Sequence, residues 1–145
     1  MIDVVALGEL LIDFATISVD GEGYPTMAAH PGGAPANFLA ALTKYGRSTA
    51  LLGKVGDDTF TTLAFVTFDE HGDREFAFSR KPGADTCISF EELDLGLIDE
   101  AKVFHFGTLS LTDEPARSAT YQAVAYAKSK GKLITYDPNL RKPCR

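Results

Sequence analysis

In Pro31-Gly32-Gly33-Ala34-Pro35-Ala36-Asn37, two glycines stand directly before a helix-forming run. With no side chain in the way, the unpaired N–H groups of a helix start can approach a ligand closely, with the helix dipole behind them. Asn37 adds an amide that both donates and accepts, which suits a ligand rich in hydroxyls. Gly8-Glu9-Leu10-Leu11-Ile12-Asp13-Phe14 supplies a carboxylate, Asp13, just past an apolar run, where it can accept hydrogen bonds from two hydroxyls. Taken singly, each stretch also fits a plain structural part: a tight strand-to-helix turn for the glycines, a solvated turn for Asp13.

Other reactive side chains are less well placed. Asp57 and Asp58 are adjacent, so their side chains diverge, and the pair suits loop closure better than a metal. His30, His71 and His105 have no partners at ligand spacing, and no metal site is expected. Ser110 follows a strand end and can contact a ligand, but it lacks the Gly-x-Ser-x-Gly elbow of a nucleophile. Cys87 and Cys144 fit neither metal nor redox spacing, which suggests two free thiols in a reducing compartment.

These groups need a frame. Val4-Val5-Ala6-Leu7 reads as a buried strand closed by Gly8. Phe38, Leu42 and Tyr45 recur at helical spacing from Ala34 to Tyr45, with Pro35 in the first turn and Gly46 as a cap. Thr49 to Val55 returns to a strand, giving the strand, loop, helix, strand order of a parallel sheet. Thr62 to Phe68 and Arg74 to Phe78 form a hairpin around a polar turn. Ser89 and Glu92 make a capping box for a short helix to about Ala101, and a strand follows over Lys102 to Phe106. Thr112 caps a further helix running to Gly131, and Leu133 to Tyr136 is a last strand stopped by Asp137-Pro138. Only Gly56 to Thr61 separate the third of these elements from the hairpin, too few for a parallel crossover of about a dozen residues. Either the hairpin lies outside the main sheet or a segment is missing.

Composition narrows the class. A chain of 145 residues, 45% hydrophobic, can bury one core. With 20 acidic against 14 basic residues, the net charge of -6 disfavours nucleic acid and anionic membranes as partners. The apolar runs fall short of the roughly 20 residues of a membrane span. The start carries no secretory pattern, and a cytoplasmic location is expected.

Six segments taken in order resemble the PfkB (ribokinase-like) carbohydrate kinases, in their fructokinase branch. They are Gly8 to Phe14, Pro31 to Asn37, Gly53-Lys54-Val55-Gly56-Asp57-Asp58, Arg80-Lys81-Pro82-Gly83-Ala84-Asp85, Phe106-Gly107-Thr108-Leu109-Ser110-Leu111, and Asp137-Pro138-Asn139-Leu140-Arg141. The resemblance implies that residues 1–145 are the amino-terminal part of one α/β domain. It would have a mostly parallel sheet flanked by helices and a small β lid over residues 14–30 and 62–80. It implies that Asp13, Gly32, Gly33 and Asn37 hold sugar hydroxyls, that Arg80 reaches in from the lid, and that Asn139 and Arg141 lie near the phosphoryl-transfer region. It implies ATP and Mg2+ as cofactors and transfer of phosphate to a primary hydroxyl of a sugar, most simply fructose. The exposed edges of the lid strands suggest a homodimer through them. The alternatives are a 2-keto-3-deoxygluconate kinase and a non-catalytic sugar-binding fragment.

The chain departs from the pattern twice. It has no Gly-Ala-Gly-Asp segment, hence neither the family's catalytic base nor its nucleotide pocket, and by itself should be inactive. Thr61-Thr62 follows Phe60 directly, where the family continues with roughly one helix and one strand.

Overall fold

Val4, Val5, Ala6 and Leu7 are apolar without alternation because both faces of their strand are covered. The structure, a computed structural model, describes residues 1–56, 59–68 and 74–139. Strand β1 (Ile2–Leu7) sits inside a four-stranded parallel sheet with β4 (Thr49–Leu52), β7 (Ala101–Gly107) and β8 (Leu133–Asp137), in the order β4-β1-β7-β8. Val4 and Ala6 point to one face, where Leu39 and Leu42 of helix α1 (Ala34–Lys44) cover them. Val5 and Leu7 point to the other face, against Ile98 of α2 (Leu95–Glu100) and Ala116, Ala123 and Ala127 of α3 (Ala116–Ser129). The alanine face of α3 lets that helix lie close on the sheet, around the fully buried Phe104.

A second sheet has the order β3-β2-β5-β6. Strands β2 (Leu11–Val19) and β3 (Pro25–Gly32) pair antiparallel, as do β5 (Leu63–Phe68) and β6 (Arg74–Ser79), and β2 and β5 join them in parallel. The short link after β4 is thereby accommodated, because the chain leaves the parallel sheet and enters the other one.

Three local expectations are corrected. Strand β4 ends at Leu52, three residues before Val55. The Ser89–Glu92 capping box is present, but it closes a single 3₁₀ turn, and α2 starts afresh with Asp94, whose carboxylate accepts from the Gly96 N–H. Thr112 does not cap α3, which starts at Ala116 after Pro115. Its hydroxyl stays within its own turn, with its one proton in reach of the Leu109 carbonyl and the Asp113 carboxylate. Asp57, Asp58, His71, Arg141 and Cys144 lie outside the described residues, so the expectations attached to them do too.

Candidate functional site

Glu9 follows β1 after Gly8, and the chain turns there into β2, so Asp13 belongs to the second sheet rather than to a loop. In register across that sheet, Asp13 stands opposite His30 on β3 and Ala64 on β5, and Ala64 in turn stands opposite Phe78 on β6. The carboxylate of Asp13 lies against Gly32, where a Cβ would overlap it, so the first glycine of the pair clears room for the acid. The second glycine has a different reason. Gly33 adopts φ 111, which only glycine enters cheaply, and a Cβ there would overlap the Glu9 carbonyl oxygen. Gly33 precedes α1 without offering it a side-chain cap. The cap comes from elsewhere in the chain: Glu9 Oε1 accepts the Ala34 N–H at 2.9 Å.

Glu9 itself is 2% exposed, and its Oε2 is buried without a hydrogen-bond partner. Burial pushes its carboxyl above the usual glutamate range. The N–H groups of Glu9 and Ala34 hold it back, the Asp85 charge adds to the rise, and Arg80 opposes it.

One small cavity, about 80 Å³, gathers these residues. Glu9, Asp13, Gly33, Ala34, Asn37 and Asn139 line it, closed off by the apolar Leu11, Phe76, Phe78 and Leu109. The parallel sheet thus contributes Glu9 and, just past β8, Asn139, while α1 contributes Asn37 and the second sheet contributes Asp13 and the phenylalanines. The polar lining is two carboxylates and two amides, a set that accepts and donates to hydroxyls from several directions.

Arg80 is not in that lining. It follows β6 and lines an adjoining cavity of about 440 Å³ with Ser79, Lys81 and Asp113, and Phe78 and Leu109 are common to both. Its guanidinium Nε–H and Nη2–H both donate to Asp85 Oδ2, at 2.8 and 2.6 Å. Nη2–H also reaches the Leu109 carbonyl at 2.9 Å, and Nη1–H the Thr112 hydroxyl at 2.8 Å. The other oxygen of the 5% exposed Asp85 accepts from Thr62, at the foot of β5. Gly83 gives this cluster its space, since a Cβ there would overlap the Thr62 hydroxyl. Arg80, Asp85 and Thr62 therefore tie β5 and β6 to the loop after β7.

Residues 1–63 match the family described as pfkB family carbohydrate kinase. A fructokinase of Solanum tuberosum is 44% identical over 167 residues, an alignment that takes in 97% of this chain and 52% of the relative. This chain corresponds to the amino-terminal part of the PfkB carbohydrate kinases. The crystal structure of a fructokinase from Xylella fastidiosa superimposes with a TM-score of 0.87 at 27% identity, over 95% of this chain and 51% of that one. A putative ribokinase II from E. coli in complex with ATP and Mg2+ gives 0.83 at 26%, over 97% and 54%. The fold is therefore the ribokinase-like α/β fold. The chain spans about half the length of the relatives it matches. The potato alignment runs over 167 positions but can draw on only about 141 residues here, 97% of 145, which leaves about 26 positions of the PfkB relative unmatched. That is about the size of the one helix and one strand that the resemblance implies after Phe60.

The sequence pattern had marked Asp13, Gly33, Asn37 and Asn139, and the fold brings these four to one cavity. It had not marked Glu9, Phe76, Phe78 or Leu109 as lining, nor Asp85 as the partner of Arg80. A glutamate two residues past a strand carries no local sign of burial. The phenylalanines read as ordinary lid strand residues.

Proposed function

We propose that this chain forms the sugar-binding half of an ATP-dependent kinase that phosphorylates fructose at a primary hydroxyl. The observation that carries the reading is the convergence of Asp13, Asn37, Gly33 and Asn139 on one cavity at the rim of the parallel sheet. The names of the relatives, fructokinases among plants and bacteria, support the substrate and the reaction. In this reading Asp13 accepts from two sugar hydroxyls, Asn37 donates and accepts, and Gly32 keeps the carboxylate's place open. Arg80 serves from the lid side by holding β6 against the body.

ATP as phosphoryl donor with Mg2+ fits the complexes known for the structural neighbours. The described residues do not themselves fit that group. They contain no set of three or more His, Cys, Asp and Glu side chains placed to hold a metal, and the first N–H of α1 is already held by Glu9. The part played by this chain is to bind and orient the sugar, because positioning is a large share of the work in phosphoryl transfer. Asn139 and Arg141 match the family motif that serves that step in the complete kinase. A homodimer through the β3 and β6 edges of the second sheet belongs to the same reading. So does a cytoplasmic location, where ATP and a free thiol such as Cys87 are both at home. No described helix is long and apolar enough to cross a membrane.

The test is a pair of measurements on purified chain of verified length. Calorimetric titration with D-fructose is expected to show saturable binding, and a coupled assay with ATP and fructose no turnover. Absence of any fructose binding by folded protein sinks the sugar site, and robust turnover sinks the assignment of catalysis to the missing half.

A further inference from the structure

The stretch Phe106-Gly107-Thr108-Leu109-Ser110-Leu111 has a second use besides sending Leu109 into the cavity wall. Thr108 stands at the start of the 3₁₀ turn Leu109–Leu111, but its hydroxyl does not cap that turn. It reaches across to the end of the neighbouring strand β8. There Oγ1 lies 2.8 Å from the Tyr136 hydroxyl and 2.5 Å from the Pro138 carbonyl, with the Asp137 carbonyl farther off at 3.5 Å. A threonine has a single proton to give, so the arrangement that satisfies every group has Tyr136 O–H donating to Thr108 and Thr108 donating to Pro138. The Tyr136 ring is held for this by Phe106, its register partner on β7, at 4.9 Å between centroids.

The other end of the same peptide unit is held as well. Asn139 N–H donates to Asp137 Oδ1 at 2.8 Å. The Pro138 C=O and the Asn139 N–H belong to one planar group, which turns only as a whole. With a hydroxyl on one end and a carboxylate on the other, turning that plane over breaks both bonds together. Asn139 follows it with φ 38, in the left-handed region that asparagine enters more readily than most residues but still at a cost. From there Asn139 lines the cavity together with Asn37.

We propose that Thr108 is a positioning residue for the sugar site: with Asp137 it pins the Pro138–Asn139 peptide plane, and so keeps Asn139 in the backbone conformation that makes it part of the cavity wall. This role rests on the reading of the cavity as a sugar site and names what holds its β8 side in place. Thr108 is not among the lining residues, so it acts through Asn139 rather than on the ligand. Tyr136 supports it by donating to its oxygen, which leaves the threonine proton free for Pro138. These groups sit at a half-exposed rim where water competes for them, so the effect of losing the hydroxyl is that of one net hydrogen bond.

Asn37 and Asn139 are the chain's two asparagines, so ¹⁵N-asparagine labelling of the full chain gives one backbone amide signal from α1 and one from the turn after β8. In the wild type, Asn139 is expected to show the strong NMR contact between its own amide and Hα protons that a positive φ produces. D-fructose should move the Asn37 and Asn139 signals with one common dissociation constant. Thr108→Val removes the hydroxyl and keeps the shape. It should weaken that contact and shift Asn139 before any sugar is added, leave the Asn37 signal in place, and lower fructose affinity by about threefold to tenfold. Thr108→Ser restores the hydroxyl, and should return the Asn139 contact and bring fructose affinity to within about twofold of wild type. A packing role would give the opposite order, since valine keeps the methyl group that serine lacks. Asn139 signals that are the same in Thr108→Val and wild type overturn the proposal, as does a fructose affinity that Thr108→Val leaves unchanged or Thr108→Ser fails to restore. Should Thr108→Val not fold, Asp137→Ala frees the N–H end of the same peptide and decides by the same two readings. If Asn139 responds to Thr108 but the wild type binds no fructose, the peptide clamp stands and the sugar reading fails.

Discussion

Replacing Arg80 with methionine isolates the ion pair that helps tie β6 to the segment after β7. The side chains of Arg80 and Asp85 are 12% and 3% exposed, and the pair makes two hydrogen bonds of 2.8 and 2.6 Å to a single oxygen. Methionine fills much of the same space, so the change removes charge and donors rather than bulk. Among the described residues, Asp85 then keeps the Thr62 hydroxyl as its side-chain partner, and Leu109 loses a donor to its carbonyl. A buried carboxylate stripped of its cation costs about 3–5 kcal/mol, far above the ~0–1 kcal/mol of an exposed pair. For a chain of this size that is a fall in melting temperature of roughly 10 °C or more. Urea unfolding followed by circular dichroism gives the free energy directly. The double variant Arg80→Met with Asp85→Leu should recover most of the loss, because the deficit comes from an orphaned charge rather than from missing attraction. A loss below about 1 kcal/mol for Arg80→Met would mean that Asp85 is solvated and the clamp is only apparent. A double variant no better than the single one would refute the orphaned-charge account.

Two further expectations concern the cavity. Asp13→Asn exchanges a double acceptor for an amide beside Gly32 and should weaken D-fructose by about tenfold or more, equivalent to roughly 1–3 kcal/mol. Equal fructose affinity in calorimetry would remove Asp13 from the site. Glu9→Gln should alter stability with a definite sign: the carboxyl of Glu9 titrates higher folded than its unfolded value of 4.5, so its favourable contribution is complete below that value and is lost as the pH rises through the folded one. The variant should therefore gain on the wild type between pH 4 and pH 8, and a difference constant across that range in urea unfolding would contradict the burial of a bare oxygen.

The residues alone determined the regular elements of the parallel sheet and the start of α1, because burial on both faces writes itself into β1 as an unbroken apolar run, and a Gly-Gly-Ala-Pro turn can open little else than a helix. Asp13 and Asn37 were marked together by the resemblance, and both line one cavity, but Asp13 reaches it from β2 of the second sheet rather than from the end of β1. The tight passage after Gly56 was legible too, as a length too short for a crossover, though only the pairing of β5 with β2 revealed that the chain changes sheets there. Tertiary structure decided the rest. The capping box at Ser89 was read correctly as chemistry, yet the turn it closes ends at Glu92, because a cap marks where a helix can begin and packing fixes how far it goes. Thr112 has the composition of a cap but is held by Leu109, Asp113 and Arg80. Glu9 and Asp85 look in sequence like any surface acid, and nothing local distinguishes them. Their roles arise from Ala34, 25 positions away, and from Thr62, 23 positions away, because the burial of a charge depends on which distant atoms the fold brings around it.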